Sequence, residues 1–86
     1  MLDQLNMIKS EKAQQVAFKV IDALQSEQHG HQVAAVAMVF LMMCKRYNVR
    51  PIDVLDKTGR ITYDAFSEGR GEYARAIKNY MQEELK

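Results

Sequence analysis

The chain has 86 residues, of which 48% are hydrophobic and 27% are charged, and its formal net charge is +1. A chain of this length is expected to form a single domain, 1–86, with a small core that a partner often completes. Its balanced charge provides no global field that would attract nucleic acid or an anionic membrane. The single cysteine, Cys44, excludes an internal disulfide and favours a reducing compartment.

The first predicted helix has one broad apolar stripe. It begins at Asp3 or Ser10, both of which suit the N-cap, and runs to Gln28, where Gly30 ends it. The stripe consists of residues at helical spacing, namely Leu5, Ile8, Ala13, Val16, Ala17, Val20, Ile21 and Leu24.

The second predicted helix, residues 31–47, contains an uninterrupted apolar run at 33–44. A helix that is hydrophobic all round is normally buried all round, so we expect helix 2 to lie at the centre of the fold. The run is about 18 Å long at ~1.5 Å per residue, whereas a bilayer core is about 30 Å thick. It is therefore too short to span a membrane, and a soluble, cytoplasmic protein is expected.

Two further helices complete a compact, all-α, four-helix fold. Helix 3 begins at Pro51, which suits the first helical position, and either ends at Gly59 or continues to about Phe66. We favour continuation, with Gly59 marking a close helix–helix contact. A loop at 67–71 precedes helix 4 at 72–85, whose apolar residues again form one stripe.

Self-association follows from a comparison of the helix faces. Helices 1, 3 and 4 each have one apolar stripe, and a short or interrupted helix 3 leaves the cover of helix 2 incomplete. Each large apolar side chain left in water forgoes about 1.5–3 kcal/mol. A two-fold-related copy covers the same patch on both chains. The sequence thus predicts a homodimer with helix 1 or helix 2 at the interface, and the candidate interface residues are Val39, Leu41, Met42 and Met43.

Residues capable of catalysis or metal binding are sparse. His29 and His31 flank Gly30, but no Cys, His or Asp set at zinc spacing accompanies them. Cys44 closes the apolar run, which predicts a buried, inert thiol. We therefore expect no metal, no cofactor and no enzymatic activity.

A basic stretch supports an alternative function. The stretch resembles a helix-turn-helix pattern. In that pattern Asn48 lies near the turn, and the small residue of the first helix falls near Cys44. Two features argue against nucleic-acid binding. Lys57 falls where the recognition helix usually buries an apolar residue, and the carboxylates of Asp53 and Asp56 would face the negative phosphates. The cations of the stretch are Lys45, Arg46, Arg50, Lys57 and Arg60. Some of them also suit the negative end of helix 2, which explains them without nucleic acid.

The last half of the chain resembles small uncharacterised proteins encoded by tailed bacteriophages. The resemblance lies in residues 40–55, with the helix end Cys44-Lys45-Arg46-Tyr47 and the helix start Pro51-Ile52-Asp53-Val54-Leu55, in Gly59-Arg60, and in residues 72–80. It implies a phage accessory protein in the host cytoplasm that binds a host or virion protein. We therefore expect a non-enzymatic interaction module that self-associates, with a helix-turn-helix-like nucleic-acid binder as the alternative.

Overall fold

The computed structural model describes residue 4 and residues 7–63 and 71–85. This part of the chain contains four α-helices and no strand, which confirms the all-α class. The helices are α1 (Ser10–Ala23), α2 (His29–Arg46), α3 (Pro51–Tyr63) and α4 (Glu72–Glu84).

The connection between α1 and α2 differs from the prediction. α1 ends at Ala23 rather than at Gln28, and Gly30, the expected stop, lies inside α2. The chain turns at Ser26, whose φ of 71° is left-handed. The Gln32 side-chain amide donates to the Leu24 carbonyl oxygen at 2.9 Å. This bond gives the carbonyl of the C-cap residue a second donor beside the Glu27 N–H, and it favours an early end of α1.

A Schellman motif ends α2. Asn48 adopts the left-handed conformation with φ 53°, which asparagine tolerates better than most residues. The Val49 N–H donates to the Cys44 carbonyl at 3.0 Å, and the Asn48 N–H donates to the Lys45 carbonyl at 3.3 Å. These bonds fix a short turn, and Pro51 then begins α3 as predicted.

The third helix passes Gly59 without a break and extends to Tyr63, which confirms the preferred continuation. The expected close helix contact at Gly59 is wrong, because a Cβ placed there would meet no atom within 4 Å. Phe66 and most of the predicted 67–71 loop lie outside the described residues. Gly71, with φ 69°, precedes α4.

The fourth helix packs against both α1 and α3. The Phe18 and Tyr80 rings stack with centroids 4.3 Å apart, and the Tyr80 hydroxyl donates to Asp22 Oδ1 at 2.5 Å. That hydrogen bond, with smaller contributions from desolvation and the charges of Asp22 and Glu84, raises the pKa of Tyr80 from 10.0 to about 12. Because the folded-state value is raised, this stabilisation is complete below about pH 10 and is lost as the pH rises through about 12.

The second helix does not lie at the centre of the single chain, so that expectation is wrong. Of the described residues, only Ile21 and Cys44 are buried, and the molecule is flat, with extents of 35 × 34 × 18 Å. α2 contacts the other helices mainly through α3. The physical reason is that α1 and α3 both pack against α4, which leaves α2 with few partners.

Candidate interaction surface

Large apolar side chains of α2 are exposed to solvent around much of the helix. Six of them have relative exposures between 51% and 72%, and we call this set the α2 patch: Val33, Met38, Val39, Leu41, Met42 and Met43. The four predicted interface residues all belong to it. Several large exposed apolar side chains on one helix are typical of an interaction site.

The two sides of α2 differ clearly. At ~100° per residue, Ala35, Met38 and Met42 share one stripe, spaced by three and four positions as in a helix–helix seam. Cys44 on the other side is only 4% exposed, and Phe40 beside it is half-buried. The Phe40 and Cys44 side therefore faces the rest of the chain, and the Met38 side faces solvent.

Opposite charges mark the two ends of α2. Lys45 and Arg46 occupy its last turn, where they complement the negative end of the helix dipole, and we call them the basic end. Glu27 precedes the helix and lines one hollow with Glu83 and Glu84 of α4; these three form the acidic corner. Residues 29–46 contain no Asp or Glu. The apolar patch thus lies between a basic end and an acidic corner.

Two cations, one in α3 and one directly before it, are partly neutralised by carboxylates of α3. Arg60 Nη2 lies 3.0 Å from Asp56 Oδ2, and Arg50 Nε lies 3.9 Å from Asp53 Oδ2. Lys57 is half-buried. The five predicted basic residues are therefore not a continuous unshielded basic face. Asp53 and Asp56 lie among them, as the sequence had suggested.

The basic end itself is exposed. Lys45 and Arg46 face solvent, and the Arg46 guanidinium carbon lies 5.8 Å from the centre of the Tyr47 ring. The turn expected near Asn48 is present as the Schellman turn between α2 and α3. This connection is compatible with a helix-turn-helix arrangement.

The candidate metal ligands do not converge. His29 and His31 are exposed in the first turn of α2, and within the described ranges no three His, Cys, Asp or Glu side chains are grouped to hold a metal. The prediction of a buried thiol is confirmed, since Cys44 is free and 4% exposed.

An apolar hollow lies between α1, α3 and α4. Its lining includes the hydroxyls of Thr58 and Thr62, but each donates to a carbonyl of its own helix, at 2.8 and 2.7 Å. The described lining holds no carboxylate, imidazole or thiol. Nor is any helix in the described part of the chain both long and apolar enough to cross a bilayer.

Comparison with known proteins adds no relative. The chain matches no protein-family model, and no curated protein or solved structure is significantly similar to it. The resemblance to phage proteins therefore stays a prediction.

Two patch residues were missed by sequence reasoning. Val33 and Met38, with exposures of 72% and 67%, are more exposed than the four residues that were predicted. The 3–4 spacing of Ala35, Met38 and Met42 is a signal that would have pointed to Met38. No comparable signal marks Val33, because its exposure depends on where the other helices pack.

Proposed function

We propose that this protein is a non-enzymatic helical interaction module that self-associates through the α2 patch. The observation that carries the proposal is the exposure of six large apolar side chains on one helix. Full burial of such a side chain is favourable by about 1.5–3 kcal/mol, so a partner that covers the patch gains substantially. The phage resemblance adds the proposal that the protein acts as an accessory protein on a host or virion protein in the host cytoplasm.

The chemistry of the patch favours a protein partner. Three of its six residues are methionines, whose flexible thioethers adapt to apolar partners. Duplex DNA would instead meet an apolar face bounded by the acidic corner at one end. A second copy matches the patch by symmetry, because one surface then serves both chains.

Light scattering after size exclusion tests this proposal at low micromolar protein. We expect twice the chain mass of 9.9 kDa. Met42→Glu, which places a charge in the patch, should reduce the mass to 9.9 kDa while the helical circular dichroism remains. Met81→Glu is the matched control, because Met81 is 42% exposed on α4, and it should stay dimeric. A wild-type mass of one chain at every concentration would overturn self-association.

A second candidate function is helix-turn-helix-like nucleic-acid binding, favoured by the short Asn48 turn beside the exposed Arg46. If it holds, binding of random duplex should weaken steeply with salt, because each phosphate contact releases counterions. Arg46→Ala should weaken binding further, as measured by fluorescence anisotropy at low salt. The control is Lys78→Ala, an exposed cation on α4. Absence of binding at tens of micromolar would remove this candidate, since non-specific sites typically bind at ~10⁻⁴–10⁻⁶ M.

A further inference from the structure

The apolar run at 33–44 in α2 is asymmetric in side-chain size along its length. Its three alanines, Ala34, Ala35 and Ala37, lie in the first half, whereas large side chains fill the second half from Met38 onward. In a parallel pairing, alanines would face alanines and large residues would face large residues. Such a contact is too open at one end and overcrowded at the other. Protein interfaces pack to crystal-like density, which favours a small residue opposite a large one.

We propose that two copies pack their α2 helices antiparallel, with the two-fold axis at Met38; the inference rests on the self-association proposed above. In this register the 3–4 stripe of Ala35, Met38 and Met42 runs along the seam, and Ala35 lies one residue, about 1.5 Å along the axis, from Met42 of the second copy. By symmetry the small Ala35 meets the large Met42 side chain at both ends of the contact.

The charges at the ends of α2 favour the same orientation. In the antiparallel register Lys45 of one copy lies level with His31 of the second copy, in the first turn of that helix, which Glu27 precedes. Each basic end therefore meets the acidic corner of the other chain, and symmetry makes this contact twice. A parallel pairing would instead place the two basic ends side by side. Apolar burial supplies the affinity, and the charges select the orientation.

Electron spin resonance distances separate the two orientations. A spin label is attached at Gln28→Cys in a Cys44→Ala background, so that the native thiol does not react. Antiparallel helices place the two labels roughly 30 Å apart along the axis, since each Gln28 lies ten residues from Met38 at ~1.5 Å per residue. Parallel helices in register place them at about the interaxial distance of 8–10 Å. The labelled protein is first checked for wild-type helicity and mass.

A charge-swap experiment needs no label. Arg46→Glu should raise the dimer dissociation constant several-fold, and adding Glu27→Arg should restore it, because the two residues meet across the antiparallel interface. Arg46→Glu with Lys78→Glu is the control, and it should show no rescue.

The outcomes separate this inference from the proposed function. A label distance of about 10 Å, or a dimer without charge-swap rescue, overturns the antiparallel register and leaves self-association intact. A single-chain mass for the wild-type protein overturns both. A distance near 30 Å together with rescue supports both.

Discussion

The melting temperature of this protein should rise with its concentration. Within the described ranges only Ile21 and Cys44 are buried, so in the proposed dimer we expect much of the stability to come from burial between chains. Mass action then links unfolding to concentration. A hundredfold increase should raise the melting temperature by on the order of 5–10 °C for a chain of this size. Circular dichroism melting at several concentrations measures the effect.

A patch variant supplies the control for this experiment. Met42→Glu should melt at a lower temperature than the wild type, and its midpoint should not change with concentration, because the variant no longer dimerises. A wild-type midpoint that is equally independent of concentration would show that the chain is stable alone, contrary to the expectation.

Loss of Ile21, the one buried aliphatic side chain among the described residues, should be costly. Ile21 is 2% exposed, and Ile21→Ala should lower the free energy of unfolding by about 2–5 kcal/mol, through lost transfer energy and the cavity left behind. Val20→Ala is the matched control on the same helix, because Val20 is 44% exposed. Its effect should stay below about 1 kcal/mol. Urea denaturation at fixed concentration gives both values; equal losses would place Ile21 outside the core.

Local signals were sufficient to predict most helix boundaries. Pro51 fixes the start of α3 through its restricted φ, and Gly71 precedes α4 where the apolar stripe resumes. The end of α1 was missed because it depends on the left-handed Ser26 and on the Gln32 side chain, which comes from the next helix. Helical periodicity does not reveal a capping group supplied by another element.

The arrangement of the helices was not predictable from apolar stripes. A stripe shows that a helix has a face to bury, but not which helix covers it. The Phe18–Tyr80 stack and the Asp22–Tyr80 hydrogen bond join α1 to α4 across most of the sequence. These contacts direct α1 away from α2.

The candidate site was predicted in part. The homodimer was inferred from an incomplete cover over α2, and the exposed Val39, Leu41, Met42 and Met43 are the residues named for it. That cover was expected to be incomplete because α3 would be short or interrupted. The structure shows an uninterrupted α3 and a gap that arises from the pairing of α1 and α3 with α4.

The flatness of the molecule has a consequence for its evolution. A body 18 Å thick is fewer than two helix diameters deep, taking ~10–12 Å for each helix with its side chains, so nearly every position borders solvent. Most substitutions in such a body meet water and leave its architecture intact. Selection for folding is therefore expected to act on few sites of the single chain, whereas in the proposed dimer the residues of α2 are constrained by the second copy that they meet.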